Sequence, residues 1–485
     1  MFSIFDLRDD IIKGYLEFSR SFTIINAPDI RNHVNHNLQK EQIYCPAPLL
    51  QINPNYKQAT ESNGAPVTTG SNSSLGLHTL CSKIFQINGK PLELYQHQVE
   101  AILTAQKEKN NSYVVTSGTG SGKSLTFFIP IFNRIIEEKE QELQTGALPS
   151  KRVRAIIIYP MNALANSQKE EIDKFLSENF FKSITPKEQQ LVPRVLRYTG
   201  QEGKAEREVL RSNPPDILLT NYMMLELMLI RYEDRNLIEN CKGLEFVVLD
   251  ELHTYRGRQG SDVAMLMRRL RLRTKDSTLN ANDLICIGTS ATMTSVDNSP
   301  ADSDTATAAA TPTTEENRNS KDVVAQFAAN IFGCDFDVDQ VISETLERVT
   351  DPSKTLDMPN DRQALRDKVV IAAQGIDHIH FTDLNAFKTD PLAVWLETKI
   401  SINENNGDLV RATPQNLNTI AHMLTLDAQV EEAQAAAALK NFILYFAQEE
   451  RSELQNLKNK RGKLPFAFKL HQFISGPSKV NVSLA

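Results

Sequence analysis

The sequence predicts an α/β fold: a parallel sheet covered by helices on both faces and carrying a phosphate-binding loop. A helical N-terminal extension precedes it and a mainly helical C-terminal segment follows. Three observations predict this. Short apolar runs alternate with helix-compatible stretches from Leu94 to Met293, the rhythm of strands buried on both faces. The octapeptide Ser117-Gly118-Thr119-Gly120-Ser121-Gly122-Lys123-Ser124 follows one of those runs. Two acids, Asp250 and Glu251, follow another.

In chain order, residues 1–90 read as an extension of short helices and loops. Leu7 to Phe22 is amphipathic, and Asn53 to Ser74 is rich enough in Asn, Thr, Ser and Gly to read as a loop or disordered strap. The lobe spans 91–293. Its strands are expected at Tyr113–Thr116, Ala155–Tyr159, Val195–Tyr198, Ile217–Thr220, Phe246–Leu249 and Leu284–Gly288. Ligands of such sheets bind beyond the strand C-termini, where each candidate motif falls. Residues 294–322 are dominated by Ser, Thr, Ala, Asp and Asn, too polar to offset the entropy of ordering, and read as a flexible linker or inserted loop. Helical pattern resumes at Val323, with Gly333 as a C-cap. Residues 323–485 read as mainly helical, with one or two long helices between Asp427 and Leu457 and an unfinished strand at the end.

The octapeptide stands between an apolar strand and a helix, the context a phosphate loop needs. Its glycines let N–H groups turn toward an anion, and the helix that follows presents its positive end. Lys123 would reach the β- and γ-phosphates, and the Ser124 hydroxyl would bind Mg²⁺. Ser117 departs from the usual first glycine. The bland alternative is a Gly/Ser turn. Asp250, after four apolar residues, reads as the metal-side carboxylate and Glu251 as the base that activates water; the bland alternative is an acidic strand-end turn. The third strand ends in Thr289-Ser290-Ala291-Thr292, hydroxyls able to bond the acids and sense the nucleotide state.

Taken in order, S-G-T-G-S-G-K-S, D-E-L-H and S-A-T resemble motifs I, II and III of superfamily 2 DEAD/DEAH-type helicases. The run from Leu252-His253-Thr254-Tyr255-Arg256-Gly257 to Arg269 is similar to MrfA-type DNA helicases and to large phage-defence helicases. The resemblance implies a RecA-like first motor lobe using ATP and Mg²⁺. It implies that Gln98, in Leu94-Tyr95-Gln96-His97-Gln98, reads adenine. It implies that Ser290, Thr292 and His253 couple nucleotide state to the strand site. It also places one nucleic-acid strand, with DNA favoured over RNA, along Pro160 and Asn162, Thr199 and Gly200, and Thr220 and Asn221, with Arg256 nearby. Hydroxyls, amides and helix N-termini there could hold phosphates without reading sequence. For Arg256 and Arg258 the alternative is a structural salt bridge. For Arg268, Arg269, Arg271 and Arg273 it is a solvated helix face or a footing for the nucleic-acid backbone. Phage defence and DNA repair are both expected roles of such relatives.

Composition bounds the rest. With 485 residues, 41% hydrophobic, 23% charged and a net charge of −7, the chain reads as several soluble domains. Global charge gives no support to nucleic-acid binding, which a local groove can still provide. No apolar run reaches the length needed to span a bilayer, and the first residues lack a secretory pattern, so a cytoplasmic location is expected. The five cysteines (Cys45, Cys81, Cys241, Cys286 and Cys334) form no C-x-x-C pair, against a disulfide framework or zinc site. His378 and His380 read as part of a surface strand.

A superfamily 2 motor needs a second RecA-like lobe with its arginine. Residues 294–485 contain no matching pattern; Lys460-Arg461-Gly462-Lys463 is basic but lacks it. The expectation is therefore a first motor lobe whose second lobe lies on a missing C-terminal portion or another polypeptide. Two functions follow: an ATP-dependent helicase or translocase within a larger machine, or an ATP- and DNA-binding module with little turnover alone. A phosphate-loop ATPase without nucleic acid is the third reading, opposed by the strand-contacting motifs.

Overall fold

The computed structural model describes residues 4–21, 24–40, 48–109, 111–118, 120–275, 284–291, 314–357, 360–405, 408–448, 451–459 and 462–471. It divides into two compact units, residues 56–345 and residues 1–55 with 346–485. These boundaries differ from those expected at 90 and 293.

The first unit is built on seven parallel strands: β1 (Tyr113–Thr116), β2 (Ala155–Tyr159), β3 (Val195–Tyr198), β4 (Ile217–Asn221), β5 (Phe246–Leu249), β6 (Ile285–Ser290) and β7 (Val341–Ser343). Their order is β7-β1-β6-β5-β2-β4-β3. Six were legible as apolar runs. The seventh was missed because Val341-Ile342-Ser343 is only three residues long and falls in a stretch that reads as helical; it pairs with β1 through Val341↔Val114 and Ser343↔Thr116. Its helices include α1 (Gln96–Ala105), α2 (Lys123–Gln144), α3 (Asn162–Phe175), α4 (Lys204–Ser212), α5 (Tyr222–Ile230), α6 (Gly257–Thr274) and α7 (Thr314–Phe332). One apolar layer joins β1, β2 and β5 to α2 through Phe127, Phe128, Ile131 and Phe132. The other holds Val263, Leu266, Met267 and Leu270 of α6 against Val247, Leu249 and Phe332.

Residues 314–322, expected as linker, form the start of α7. The remainder of that linker lies outside the described residues, apart from its neighbour Ala291 at the end of β6. The 53–74 segment is also not a loose strap. Ala59 and Val67 are buried, and bridges at Gln58↔Tyr95 and Thr68↔Glu93 tie it to the start of α1. Polar composition hid these backbone pairings.

The second unit holds a three-stranded antiparallel sheet, Gln415–Asn416, Leu49–Asn53 and Ala467–His471. Helices Arg362–Ala373, Pro391–Leu396, Leu417–Ala428 and Glu432–Ala447 surround a core of Trp395, Phe387, Phe442 and Phe446. His378 closes a short helical turn, Ile376–His378, and not a strand. The expected terminal strand at 480–485 lies outside the described residues. Cys81, Cys241, Cys286 and Cys334 are free thiols, and Cys45 is outside the described residues. Among the described residues no helix is long and apolar enough to cross a membrane.

At the N-terminal edge of the seven-stranded sheet, Arg154 is fully buried. Its guanidinium donates to Glu138 at 2.6 Å and Asp216 at 2.8 Å, while Lys139 reaches Asp216 at 2.6 Å. Burial alone would raise the Glu138 carboxyl, but the Arg154 and Arg152 hydrogen bonds hold it down at about 2. A cleft of about 880 Å³ opens beside this network, lined by Glu137, Glu138, Arg152 and Glu245 among others. It lies at the opposite sheet edge from the octapeptide, so size alone does not mark the site. Arg154→Met would leave Glu138 and Asp216 under-compensated in a buried place. The expected cost is about 3–5 kcal/mol in urea unfolding; a loss under about 1 kcal/mol would show that Lys139 and Arg152 suffice.

Candidate active site

The octapeptide connects β1 to α2 at the C-terminal edge of the sheet. Gly120 and Gly122 have φ of 82° and 70°, values glycine adopts without steric cost. Thr119 lies outside the described residues. The unexpected Ser117 fits: its hydroxyl lies 2.7 Å from that of Ser121, across the loop, and its N–H donates to the Ser290 carbonyl at 3.1 Å. Lys123 opens α2 and Ser124 follows it, half-buried.

Register brings the acids to the loop. Leu249 pairs with Gly288 and Ser290 with Thr116, so the residues just past β5 stand between the ends of β6 and β2. Lys123 Nζ lies 3.5 Å from Glu251 Oε1. Asp250, 9% exposed, accepts a short hydrogen bond from the Thr289 hydroxyl, and the same hydroxyl accepts the Glu251 N–H at 3.3 Å. Burial pushes the Asp250 carboxyl up; the Thr289 bond opposes this and the Glu251 charge adds to it. Glu251 has φ of 52°, a left-handed conformation that L side chains adopt at a cost and that concentrates at functional sites. Of the hydroxyls expected to bond the acids, Thr289 is the one that reaches Asp250; Ser290, expected to couple nucleotide state, bonds His253 instead. Thr292 is outside the described residues.

His253 Nδ1 lies 3.2 Å from the Ser290 hydroxyl and accepts the Ala291 N–H at 3.4 Å. Burial holds the imidazole below its ordinary pKa, so it is neutral at pH 7. An acceptor Nδ1 has no proton for Glu251, and their 3.4 Å separation is proximity without an ion pair. Two buried hydroxyls close to this cluster, those of Tyr159 and Tyr255, have no hydrogen-bond partner among the described residues.

Two neighbours brace the loop. Gln98 is 2% exposed; its Nε2 donates to the Ser121 and Gly122 carbonyls at 3.3 and 3.0 Å, and its Oε1 accepts the Tyr95 N–H at 2.9 Å. Both ends of the Gln98 amide are thus engaged within the protein. His97 Nε2 lies 3.1 Å from the Ser121 carbonyl. From β7, Glu344 accepts the Gly118 N–H at 2.7 Å. Sequence reasoning missed Glu344 because it lies 226 residues from Gly118 and follows an unrecognised strand.

The expected strand-contacting residues lie on the same edge, but several are not open donors. Thr220 is fully buried and its hydroxyl donates to the Tyr198 carbonyl at 2.7 Å, which removes it as a direct contact. The Thr199 hydroxyl and N–H and the Gly200 N–H all donate to Glu202 at 2.8–3.0 Å. Asn221 donates to Asn162 Oδ1 at 2.6 Å and to the Thr199 carbonyl at 3.1 Å, and accepts the Met224 N–H at the start of α5. Pro160 and Asn162 are half-buried and Arg256 is exposed. The α6 arginines each have a partner within the protein. Arg268 bonds the Asn330 carbonyl, Arg269 pairs with Glu226, Arg271 bonds the Gly333 carbonyl and Arg273 the Leu229 carbonyl.

A lysine-bearing phosphate loop facing two strand-end acids on a seven-stranded parallel sheet defines a nucleoside triphosphate-binding lobe. Residues 95–299 match the DEAD/DEAH box helicase family, and this segment is a DEAD/DEAH box helicase domain. The chain is similar to the Druantia protein DruE of Escherichia coli (strain UMEA 4076-1), 25% identical over 356 residues, covering 54% of this chain and 19% of that protein. It is similar to the uncharacterized ATP-dependent helicase YprA of Bacillus subtilis (strain 168), 32% identical over 205 residues, covering 41% and 23%. Among solved structures it is similar to the DUF1998 helicase MrfA, 28% identical, covering 45% of this chain and 29% of that one at a TM-score of 0.33. The chain thus spans about a fifth of the length of these curated relatives.

Two outcomes test this site. A carboxyl raised in the folded state costs stability as pH climbs from its ordinary range through its folded value; below that range the cost is absent. Asp250→Asn is therefore expected to melt like wild type in acid and about 2 °C or more higher at pH 7. An equal or lower melting temperature at pH 7 contradicts the buried-charge assignment. Glu344→Gln removes a negative charge beside the loop, and nucleotide is expected to bind about three- to tenfold more tightly, or roughly 0.6–1.4 kcal/mol, by fluorescent-nucleotide titration. Weaker binding would mean that Glu344 instead holds the loop open for its ligand.

Proposed function

We propose that this chain is the first motor lobe of an ATP-dependent nucleic-acid helicase or translocase, acting on a single strand, with DNA favoured. The observation that supports it most is the Lys123–Glu251 pair, 3.5 Å apart, beside an Asp250 held by Thr289. YprA, to which this domain is similar, carries the name of an ATP-dependent helicase.

The nucleotide's phosphates take Lys123 away from Glu251, and the freed carboxylate accepts a proton from the attacking water. Lysine thus masks the base until substrate arrives. Asp250 and Ser124 offer hard oxygen donors suited to Mg²⁺, leaving the rest of its shell to phosphate oxygens and water. When bound, the ion neutralises charge on the phosphates. Thr289 ties the acids to β6, and His253, two residues past Glu251, bonds Ser290; both carry the site's state toward neighbouring strand ends.

A second reading, a nucleotide- and strand-binding module with little turnover alone, draws on one observation. Among the described residues the second unit holds an antiparallel sheet and no second parallel lobe to supply an arginine, a group worth about 10³–10⁵ in rate in analogous enzymes. The test is steady-state ATP turnover with and without single-stranded DNA or RNA. Strand-stimulated turnover by this chain alone defeats the module reading; turnover that requires an added second lobe supports it. Lys123→Ala is expected to weaken nucleotide binding about 100-fold or more. Glu251→Gln is expected to bind nucleotide and lose about 10²–10⁴ in turnover in whichever assembly is active. Normal turnover by Glu251→Gln would remove it as the base.

A further inference from the structure

Cys286 and Cys334 lie far apart in the chain, and their spacing carries no pairing signal. Topology brings them together. Cys286 is the second residue of β6, and Cys334 belongs to the connection from α7 to β7. These two strands stand on either side of β1. Ser112, just before β1, holds both ends. Its hydroxyl accepts the Cys286 N–H at 2.9 Å, and its carbonyl accepts Gln340 Nε2, from the same connection as Cys334, at 2.6 Å. Gly333 turns the chain after α7 with φ of 70°, and Cys334 then packs against the apolar layer that contains Cys286. There the Cys286 thiol donates to the Cys334 sulfur.

The two sulfurs have opposite surroundings. Cys286 is fully buried; its bond to Cys334, together with burial, pushes its thiol well above the ordinary range. Cys334 is half-buried. The hydrogen bond from Cys286 and the Arg271 guanidinium bring its thiol down, against burial and the Asp335 charge. Arg271 is itself held there by the Phe332 and Gly333 carbonyls. Arg271, which touches Cys334, and Ile285, which precedes Cys286, also line the cleft of about 880 Å³, giving a small oxidant a way in. A lowered, accessible thiol beside a cation and a second thiol is the setting in which cysteine reacts with oxidants. Cys81 and Cys241 supply the contrast: both are fully buried, and burial pushes both thiols up, Cys241 to about 12.

We propose that Cys334 and Cys286 form an oxidant-responsive dithiol, with Cys334 as the reactive sulfur and Cys286 as the one that resolves it. A hydroperoxide supplies the oxidising equivalents. The Cys334 thiolate attacks one peroxide oxygen, the O–O bond breaks, and the departing hydroxide leaves as water with the proton that Cys334 had released. Cys334 is then a sulfenic acid. The Cys286 sulfur attacks the Cys334 sulfur, the S–O bond breaks, and the leaving hydroxide takes the Cys286 proton as a second water. The two thiols lose two electrons, the peroxide gains them, and the disulfide that remains is reversed by an external dithiol. The bond joins β6 to the connection that feeds β7, at the sheet edge away from the phosphate loop.

The test is peptide mapping by mass spectrometry of the full chain, treated with hydrogen peroxide while folded and then alkylated in denaturant. The expected result is a linked Cys286–Cys334 peptide, lost on treatment with dithiothreitol and formed about tenfold or more faster than any oxidation of Cys81 or Cys241. Cys286→Ser is expected to halt Cys334 at the sulfenic acid, captured by dimedone, whereas Cys334→Ser leaves Cys286 free to be alkylated. Arg271→Met removes the cation and keeps both sulfurs; disulfide formation at pH 7 is expected to slow about threefold or more. Cys334 recovered fully alkylated after peroxide, or a linked peptide that joins a different pair in place of these two, overturns the proposal. Dimedone on Cys286 in Cys334→Ser overturns the assigned roles, and a wild-type rate in Arg271→Met overturns Cys334 as the activated sulfur. If a serine variant fails to fold, the wild-type map decides.

Discussion

The parallel register of three strands, β1, β6 and β5, is the constraint on which the site depends. With Thr116 opposite Ser290 and Leu249 opposite Gly288, Ser117, Ala291 and Asp250 all emerge at one level of the sheet edge. Lys123 then meets Glu251, and the Thr289 hydroxyl meets Asp250. Side chains alternate between faces along a strand, so a slip of one residue would turn Thr289 away from the acids and send a core residue in its place. The apolar residues that hold the register, such as Val115, Val248 and Ile287, are fully buried. Core packing therefore sets the geometry of the chemistry.

Much of this was legible in the chain. Six strands announce themselves as short apolar runs, and the groups that follow them are read in order because binding residues of such sheets gather past strand C-termini. The loop, Lys123, Asp250 and Glu251 came from that logic alone. Local sequence could not disclose partners that only topology brings together. Glu344 reaches Gly118 across 226 residues, after a strand too short for a periodicity to register. The sequence offers Thr289, Ser290 and Thr292 alike as partners of the acids, because neighbouring hydroxyls are indistinguishable until the register says which one faces β5; it is Thr289 that bonds Asp250. Thr199, Gly200 and Asn221 were read as phosphate donors from their residue type. Residue type does not say whether a donor is already taken, and Glu202 takes several of them.

The α6 arginines teach the same lesson in the other direction. Four basic residues on one helix suggest a footing for a polyanion, yet their guanidiniums bond backbone carbonyls at Asn330, Gly333 and Leu229 and the Glu226 carboxylate. Carbonyls at the ends of α7 and α5 need donors, and arginine supplies them. With net charge −7 and these guanidiniums already bonded within the protein, bulk charge offers a polyanion little attraction.

Two internal carboxylates sit on the site's sheet edge, and their surroundings separate their roles. Glu202 is nearly sealed and holds a cation and three further donors at once, so it belongs to the framework. Glu344 is only half-buried and faces a loop whose ligand carries several negative charges. A triphosphate at the loop raises the Coulomb cost of every carboxylate nearby, and Glu344 can relieve it by turning toward water, whereas Glu202 has no such exit. Lys123 faces the same choice with opposite sign: it rests on Glu251 until phosphates offer more charge. Nucleotide arrival thus exchanges a set of internal contacts, Lys123 with Glu251 and Gly118 with Glu344, for contacts to phosphate. The Thr199–Glu202 turn keeps its internal carboxylate, four donors deep, so the phosphate loop is the adjustable end of the edge and this turn the fixed one.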